Sequence, residues 1–309
     1  MTEIKIFSPG TIANLSCGFD LLGLCLDSVG DEMTIKKSSQ KGIRITKITG
    51  ADLPLQAEKN VAGVAALALL QKIDSDCGFD IEIHKKIKAG SGIGSSAASA
   101  AGAVFAINEL LGKPFTPAEL VGFAMKGEVL ASGEEHADNV APALLGGITL
   151  IRSYTPLDII KIAAPSDLFA TVLHPQIELK TSEMRAVLPQ IIPLKTTTVQ
   201  CGNIAGLIAG LITSDYDLIG RSLHDQIAEP QRGKFIPGFD QLKKAAHDNG
   251  ALGSGISGSG PSVFALSKGE ETARKVAQAM VKVFDKINIP YEIHVSKINT
   301  QGPRIISSQ

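Results

Sequence analysis

The chain has 309 residues, enough for two ordinary domains, and 44% of them are hydrophobic, which is sufficient for a sizeable core. Its 30 basic and 31 acidic residues nearly cancel and tryptophan is absent, which argues against a nucleic-acid or anionic-membrane surface. No apolar stretch approaches the ~20 residues of a membrane span, and no signal peptide precedes the first strand, so we expect a cytoplasmic protein.

The first quarter of the chain predicts strands around one helix. Ser8-Pro9-Gly10 is a turn signal after the first strand, and Asn60 is well placed to cap the helix. Apolar and polar residues alternate along the last of these strands, which is typical of a half-buried strand. The predicted strands are Ile4–Phe7, Met33–Lys37, Ile43–Ile48 and Phe79–Ile87, and the predicted helix is Asn60–Ile73.

The rest of the chain alternates helices and strands, which indicates an α+β or α/β protein. A Gly-rich loop after Ala89 opens into an Ala-rich helix that ends near Leu111, just before Gly112 and Pro114. The later predicted helices are Pro117–Ala131, Val199–Thr213, Tyr216–His224, Phe239–Asp248 and Glu270–Lys286. The later predicted strands are Ile148–Ile151, Leu168–Leu173, Pro261–Leu266 and Tyr291–Lys297.

The loop Gly90-Ser-Gly-Ile-Gly-Ser-Ser96 has the composition of an anion-binding site. Glycines let backbone N–H groups approach a ligand, and the following helix N-terminus favours negative charge. Ser95 and Ser96 open that helix, where hydroxyls can meet phosphate oxygens or a magnesium ion. A capped turn without a ligand is the alternative. We favour phosphate, because a strand, the loop and a helix follow one another in the required order.

Two other phosphate-binding designs are excluded. A P-loop needs Gly-Lys followed by Ser or Thr, whereas Gly112-Lys113 precedes Pro114 and Gly233-Lys234 precedes Phe235. The dinucleotide fingerprint Gly253–Gly258 leads into a predicted strand, although that fingerprint must open a helix. We therefore predict a close-packed loop over Gly253–Gly260.

Three segments, in this order, resemble motifs of the GHMP kinases, a family named for galacto-, homoserine, mevalonate and phosphomevalonate kinases. They are Pro9–Asp20, Lys88–Ser99 and Gly253–Phe264. The segment His136–Gly147 is similar to the homoserine kinase branch of that family. Ser16-Cys17, Ile93 and Ala137 depart from the usual pattern, but none of these departures removes a charged or hydrogen-bonding group.

The resemblance implies an α+β fold with two domains. Residues 1–155 would form an ATP-binding domain whose phosphate loop belongs to a left-handed βαβ unit, an exception to the usual handedness. Residues 156–309 would form a ferredoxin-like domain, with the active site between the two. The boundary coincides with the break in pattern at Tyr154-Thr-Pro. A homodimer is expected, because dimers are common in the family.

The activity that the resemblance implies is phosphorylation of the side-chain hydroxyl of L-homoserine by ATP with Mg²⁺, a step of threonine biosynthesis. A kinase for another small hydroxy acid, such as mevalonate or shikimate, is one alternative. A non-catalytic nucleotide sensor with the same fold is another. Asp20 favours a substrate that carries an ammonium group, which separates amino acids from hydroxy acids.

Residues at motif positions acquire roles through the resemblance, although each taken alone would be read as a solvated or capping residue. Arg185 and Arg232 would hold the substrate carboxylate, and Asp20 its ammonium. Asn139 would orient the hydroxyl, with Asp138 as a catalytic base in the alternative mechanism. The remaining substrate contacts would be Asn14, His136 and Thr181.

The same resemblance also implies which residues bind the nucleotide and which hold the metal ion. Glu128, a residue of the catalytic set, would hold Mg²⁺ together with Ser96, because magnesium takes few protein oxygens. Asn60 and Val64 would line the adenine pocket, although Asn60 alone could be a helix cap. The other nucleotide contacts would be Lys88, Ala89, Gly90, Ser91, Gly92, Ile93, Gly94, Ser95, Ser96 and Ser99.

Overall fold

The computed structural model describes residues 1–73 and 77–309, and of Ser132 the backbone alone. Its strands are β1 (Glu3–Ala13), β2 (Leu22–Ser38), β3 (Gly42–Thr49), β4 (Gly78–His84), β5 (Ile148–Tyr154), β6 (Leu157–Ile162), β7 (Leu168–Pro175), β8 (Gly253–Ile256), β9 (Val263–Lys268), β10 (Tyr291–Lys297) and β11 (Arg304–Ser308). Its α-helices are α1 (Val61–Leu70), α2 (Ser95–Leu110), α3 (Pro117–Ser132), α4 (Val140–Leu145), α5 (Thr181–Ala186), α6 (Leu194–Thr213), α7 (Tyr216–Ser222), α8 (Glu229–Arg232), α9 (Phe239–Asp248) and α10 (Glu270–Phe284).

The larger sheet is built mainly from the first half of the chain. Its order is β11-β1-β2-β4-β3, with β5 paired to β2 and β6 paired to β5. Strands β3 and β4 run parallel and are joined through α1, which makes them the βαβ unit of this domain. The phosphate loop follows β4 directly instead of lying inside this crossover. The left-handed sense of the crossover stays a prediction.

The smaller sheet has the order β10-β7-β9-β8, and each neighbouring pair is antiparallel. Numbered within this unit, the order is fourth, first, third, second. With helices between the first and second strands and between the third and fourth, this is the ferredoxin-like arrangement. The prediction of an α+β fold with a ferredoxin-like C-terminal unit is therefore confirmed.

The helix α2 brings the phosphate loop to its place beside the larger sheet. Most of α2 is buried, and its inward positions are small, as at Ala97, Ala100 and Ala101. A Cβ at Gly102 would lie 2.5 Å from Met33 Sδ, so the helix approaches β2 more closely than a larger residue would allow. None of the helices in the described ranges is long and apolar enough to cross a membrane.

The structure differs from the sequence prediction at two glycine-containing segments. Strand β1 continues through Ser8-Pro9-Gly10, and its pairing with β2 shifts register between Pro9 and Thr11, where Gly10 lies opposite the irregular stretch Leu26–Val29 of β2. Gly253–Ile256 forms β8 and pairs with β9, although a loop was predicted there. The chain then enters β9 and not a helix, as the argument against a dinucleotide site requires.

The two sheets do not divide at residue 155. Strand β6 lies beyond this position but pairs with β5, so the larger sheet extends to Ile162. The C-terminal strand β11 also returns to the larger sheet, beside β1. The predicted boundary at residue 155 lies inside the β5–β6 hairpin. The last hairpin strand of the larger sheet ends at Ile162 and the first strand of the smaller sheet begins at Leu168, so a division by sheets falls between these two residues. As a boundary between folding units, residue 155 stays a prediction.

Candidate active site

A cleft of about 520 Å³ lies between the two sheets and is lined by all three sequence motifs. The phosphate loop and the start of α2 line one part, together with Glu128 from α3. Asp20, Arg185 and Arg232 line another part of the cleft. Asp138 and Asn139 line the same cleft. One cavity thus collects residues that are more than 200 positions apart in the chain.

The phosphate loop has the backbone that its glycines predict. Gly90, Gly92 and Gly94 have φ of +71°, +79° and +65°. A Cβ at Gly92 would lie 2.7 Å from the carbonyl oxygen of Ser257, and one at Gly94 would lie 2.0 Å from Thr11 Oγ1. Both positions therefore need glycine for conformation and for space. The loop is a preformed concave turn of backbone at the N-terminus of α2.

Glu128 and Ser96 meet at the edge of this loop. Ser96 Oγ donates to Glu128 Oε2 over 3.1 Å. Burial raises the pKa of Glu128 to about 7, against the opposing effects of the Ser96 hydroxyl and the Lys85 charge. Among the described residues, no group of three or more His, Cys, Asp or Glu could hold a metal ion. One carboxylate and one hydroxyl suit Mg²⁺, which keeps waters and phosphate oxygens as its other ligands.

Asp20, His136, Arg185 and Arg232 form a charged cluster on another wall of the cleft. The Arg185 guanidinium donates to both carboxylate oxygens of Asp20, at 3.0 and 3.1 Å. Its Nη2 also lies 2.9 Å from His136 Nε2. The backbone N–H of Asp20 donates to Asn14 Oδ1 over 3.0 Å, so the turn that carries Asp20 is itself hydrogen-bonded. The Arg185–Asp20 contact is therefore a bidentate ion pair with a fixed orientation.

Both arginines of the charged cluster pack against one aromatic ring. The guanidinium carbons of Arg185 and Arg232 lie 5.5 and 5.3 Å from the centre of the Phe19 ring. Arg232 is only 3% exposed and donates to the carbonyl oxygens of Met184 and Gly258. Burial and the neighbouring Arg185 lower the pKa of Arg232 to about 10, so it stays charged at neutral pH. Arg185 Nη1 also lies 3.8 Å from Oε2 of the exposed Glu134, so an anionic ligand group would compete with two carboxylates for the two guanidinium groups.

Asp138 and Asn139 lie where the chain enters α4. Asn139 Oδ1 accepts from Thr11 Oγ1 over 2.7 Å, which fixes the orientation of the side-chain amide and of its donor Nδ2. Asp138 is buried, and burial together with the negative charges of Asp20 and Glu128 raises its pKa to about 7. A carboxyl group with this pKa is able to exchange a proton near neutral pH.

The chain matches two family models and a full-length relative. The family models for the GHMP kinases N terminal domain and the GHMP kinases C terminal match residues 60–147 and 207–286. A homoserine kinase of Chlorobium phaeobacteroides is 48% identical, over 99% of this chain and 100% of that protein. The chain belongs to the GHMP kinases and, within them, to the homoserine kinases.

Solved structures of family members agree with this assignment. The crystal structure of homoserine kinase from Cytophaga hutchinsonii has a TM-score of 0.96 and 52% identity, covering 99% of this chain and 98% of that one. A mevalonate kinase structure has a TM-score of 0.72 at 16% identity, covering 97% of this chain and 100% of that one, which shows the common fold alone.

Most of the residues that the GHMP resemblance selected line the cleft of this kinase. Asn60 does so while its Oδ1 accepts from the N–H of Ala62, so it is a helix cap as well. The predicted residues that line the cleft are Asn14, Asp20, Asn60, Ala89, Gly90, Ser91, Gly92, Gly94, Ser95, Ser96, Ser99, Glu128, His136, Asp138, Asn139, Thr181, Arg185 and Arg232.

Three residues predicted to contact the nucleotide do not line the cleft, namely Val64, Lys88 and Ile93. Lys88 Nζ donates to Gln176 Oε1 over 2.9 Å, and this contact directs the ammonium toward the smaller sheet. Ile93 is buried beneath the loop, and its carbonyl oxygen accepts from the N–H of Thr11. Val64 is a half-buried residue of α1, and α1 meets the cleft through its first residue, Val61, and through residues that precede the helix.

Four residues of importance to the site escaped the sequence prediction. Phe19 lies in the first motif, directly before Asp20, but was not assigned a function. Its ring packs against the guanidinium groups of both Arg185 and Arg232. Tyr154 Oη donates to the carbonyl oxygen of Asp20 over 2.8 Å. Asp31 and Lys85 form an ion pair at the base of the phosphate loop. No local pattern signals such contacts, because each partner comes from a distant part of the chain.

Proposed function

We propose that this kinase transfers the γ-phosphoryl group of ATP to the side-chain hydroxyl of L-homoserine and forms O-phospho-L-homoserine. The observation that carries this proposal is the single cleft, which holds the phosphate loop and the charged cluster within one cavity. Phosphoryl transfer needs positioning and charge neutralisation more than a strong base, and this cleft supplies both. The family membership of the chain supports the same reaction.

The charged cluster suits a zwitterion. Without a ligand, Asp20 and Arg185 neutralise one another through their two hydrogen bonds. We propose that the substrate ammonium binds Asp20, while the carboxylate binds Arg185 and Arg232. Each charge of the internal pair thereby receives a new partner. A ligand with a carboxylate alone would leave Asp20 without this compensation, which disfavours hydroxy acids such as mevalonate. Asn14, His136 and Thr181 would complete this subsite.

The hydroxyl of the substrate would be oriented by Asn139. The hydrogen bond from Thr11 to Asn139 Oδ1 fixes the side-chain amide, and Nδ2 would donate to the hydroxyl oxygen of the substrate. Asp138 as a general base is the alternative, and its pKa of about 7 is compatible with that function. We favour positioning by Asn139, because the loose transition state makes little demand on a base.

The nucleotide would bind along the phosphate loop, with its phosphates at the N-terminus of α2. Ser96 and Glu128 would hold Mg²⁺, and their 3.1 Å contact and shared position on the cleft fit this small donor set. When bound, the metal neutralises charge on the phosphate oxygens. The backbone N–H groups of the loop orient those oxygens. The cytoplasmic location and the homodimer remain predictions from the sequence.

The test is ADP release from ATP and magnesium with L-homoserine, mevalonate, shikimate, L-serine or no acceptor. We expect homoserine-dependent turnover, within the range of about 1–100 s⁻¹ that is usual for kinases. Turnover with mevalonate or shikimate alone would refute the amino-acid assignment and leave the phosphate-loop argument intact. ATP binding without turnover on any acceptor would favour the nucleotide sensor.

A further inference from the structure

Asp31 and Lys85 form a buried ion pair beneath the phosphate loop, where Lys85 also lines the floor of the cleft and Asp31 lies behind it. We propose that this pair clamps the two ends of the phosphate loop and that both residues are positioning residues for nucleotide binding. The inference rests on the proposed function only in assigning the loop to the phosphates of ATP.

All three N–H donors of the Lys85 ammonium group are used in hydrogen bonds within the protein. The residue follows β4 directly, and its Nζ donates to Asp31 Oδ2, to the carbonyl oxygen of Ser95 over 2.8 Å and to Ser99 Oγ over 3.0 Å. An ammonium has three N–H donors, and here each has an acceptor. In this structure the Lys85 ammonium is therefore engaged by β2 and by the start of α2, although the residue also lines the cleft.

The other end of the loop is held by Asp31. Its Oδ1 accepts from the backbone N–H groups of Lys86 and Ile87, at 2.8 and 3.0 Å. Ser95 Oγ donates to the carbonyl oxygen of Ile87 over 2.8 Å, which joins the two ends directly. Ile87 and Ser95 therefore bound a loop of fixed span over residues 88–94. The pair Asp31–Lys85 couples both of these residues to β2.

The location of this pair is energetically demanding. The side chains of Lys85 and Asp31 are only 2% and 0% exposed, and desolvation of two ions offsets much of their attraction. A lysine near a helix N-terminus also opposes the helix dipole. The next pair along the same segments, Lys86–Glu32, has exposures of 48% and 23% and carries neither cost to the same degree. Stability alone gives little reason to bury Asp31–Lys85.

A clamp has a direct consequence for ligand affinity. A loop fixed before binding presents its N–H groups without a further loss of conformational entropy, whereas a loosened loop must be ordered by the nucleotide. The charged cluster is anchored elsewhere, through Asn14, Tyr154, Met184 and Gly258. Loss of the clamp should thus weaken nucleotide binding and spare homoserine binding.

The experiment compares two double variants of the full chain. Lys85→Met with Asp31→Asn removes both buried charges at similar volume, and Lys86→Met with Glu32→Gln is the matched surface control. ADP affinity is measured by calorimetry, and KM is measured for ATP and for homoserine. We expect the first variant to bind ADP weaker by on the order of tenfold, with KM for homoserine changed by less than about twofold. The control should match wild type in all three values.

Two results would overturn the clamp. One is wild-type ADP affinity in the folded Lys85→Met/Asp31→Asn variant, and the other is an equal loss for ADP and homoserine. If that variant does not fold, Ser99→Ala removes a single acceptor of Lys85 and should weaken ADP binding roughly threefold; unchanged affinity in Ser99→Ala would refute the clamp. Wild-type protein that binds ADP but does not phosphorylate homoserine would refute the proposed substrate and leave the ADP comparison valid.

Discussion

Replacement of Asp20 by Asn tests how the kinase distinguishes an amino acid from a hydroxy acid. The substitution keeps the size of the side chain and removes its negative charge. In the structure that charge holds Arg185 through hydrogen bonds of 3.0 and 3.1 Å. In the proposed complex it also receives the substrate ammonium. These two functions make different predictions for a substrate without an ammonium.

The magnitude follows from one charge-assisted contact. A hydrogen bond to a charged group contributes about 1.5–3 kcal/mol, which corresponds to roughly 10–140-fold in kcat/KM. We expect Asp20→Asn to lower kcat/KM for L-homoserine by this factor. For 4-hydroxybutyrate, which is homoserine without its ammonium, we expect a change of less than about threefold, because the lost charge had no partner on that substrate.

The assay is steady-state ADP release with both acceptors, on wild type and on the Asp20→Asn variant. Asp27→Asn serves as a control, since Asp27 is half exposed and pairs with Arg304 at the surface. The decisive quantity is the ratio of the two kcat/KM values, which should fall by roughly 10–140-fold in Asp20→Asn alone. An equal loss on both acceptors would refute the reasoning, because Asp20 would then act only by orienting Arg185.

Three further substitutions test other parts of the site and the fold. Asp138→Asn should retain activity within about tenfold if Asn139 positioning suffices, whereas a loss of about 10²–10⁴-fold would identify Asp138 as a base. Burial raises the pKa of Asp138 to about 7, above its unfolded value, so this group stabilises the fold most at low pH and loses that contribution as pH rises through 7. Thermal melts from pH 5 to 8 should therefore show a smaller decline in Tm for Asp138→Asn than for wild type, and parallel declines would contradict this. Gly94→Ala places a methyl group 2.0 Å from Thr11 Oγ1 at a φ of +65°, and we expect ADP affinity to fall at least about tenfold in calorimetry; wild-type affinity would show that the loop adjusts freely. Thr116→Ala breaks the capping box at the start of α3 and should lower stability by about 1 kcal/mol in urea unfolding without changing KM, and an unchanged midpoint would refute this.

The sequence predicts best those features that neighbouring residues determine. Helix α9 and strand β10 have the predicted bounds, because periodicity and flanking turn residues mark both ends. The phosphate loop is equally local, since its glycines, the preceding strand and the following helix all lie between residues 78 and 110. The site residues at family motif positions also line the cleft, with Val64, Lys88 and Ile93 as exceptions.

Contacts between distant segments could not be predicted in the same way. The Asp20–Arg185 pair joins residues 165 positions apart, and the Asp31–Lys85 pair joins residues 54 positions apart. The second pair depends on the register of β2 against β4, which no single segment specifies. Strand β11 was missed for a related reason, because its partner β1 lies at the opposite end of the chain. Strand β6 was missed because Tyr154-Thr-Pro was interpreted as a domain break, whereas it is the turn of the β5–β6 hairpin.

The third motif, Gly253–Phe264, connects the other two motifs in the folded structure. Its residues make few of the proposed ligand contacts and instead hold the other two motifs. Ser257 Oγ donates to the carbonyl oxygen of Gly92 over 2.6 Å. The carbonyl oxygen of Gly258 accepts from Asn14 Nδ2 and from Arg232 Nη1, at 3.0 and 3.2 Å. One turn thereby fixes the phosphate loop against the charged cluster. In the proposed complex, hydrogen bonds from side chains to backbone carbonyl oxygens would thus set the distance between phosphate donor and acceptor hydroxyl, which is the requirement of a reaction that depends on positioning.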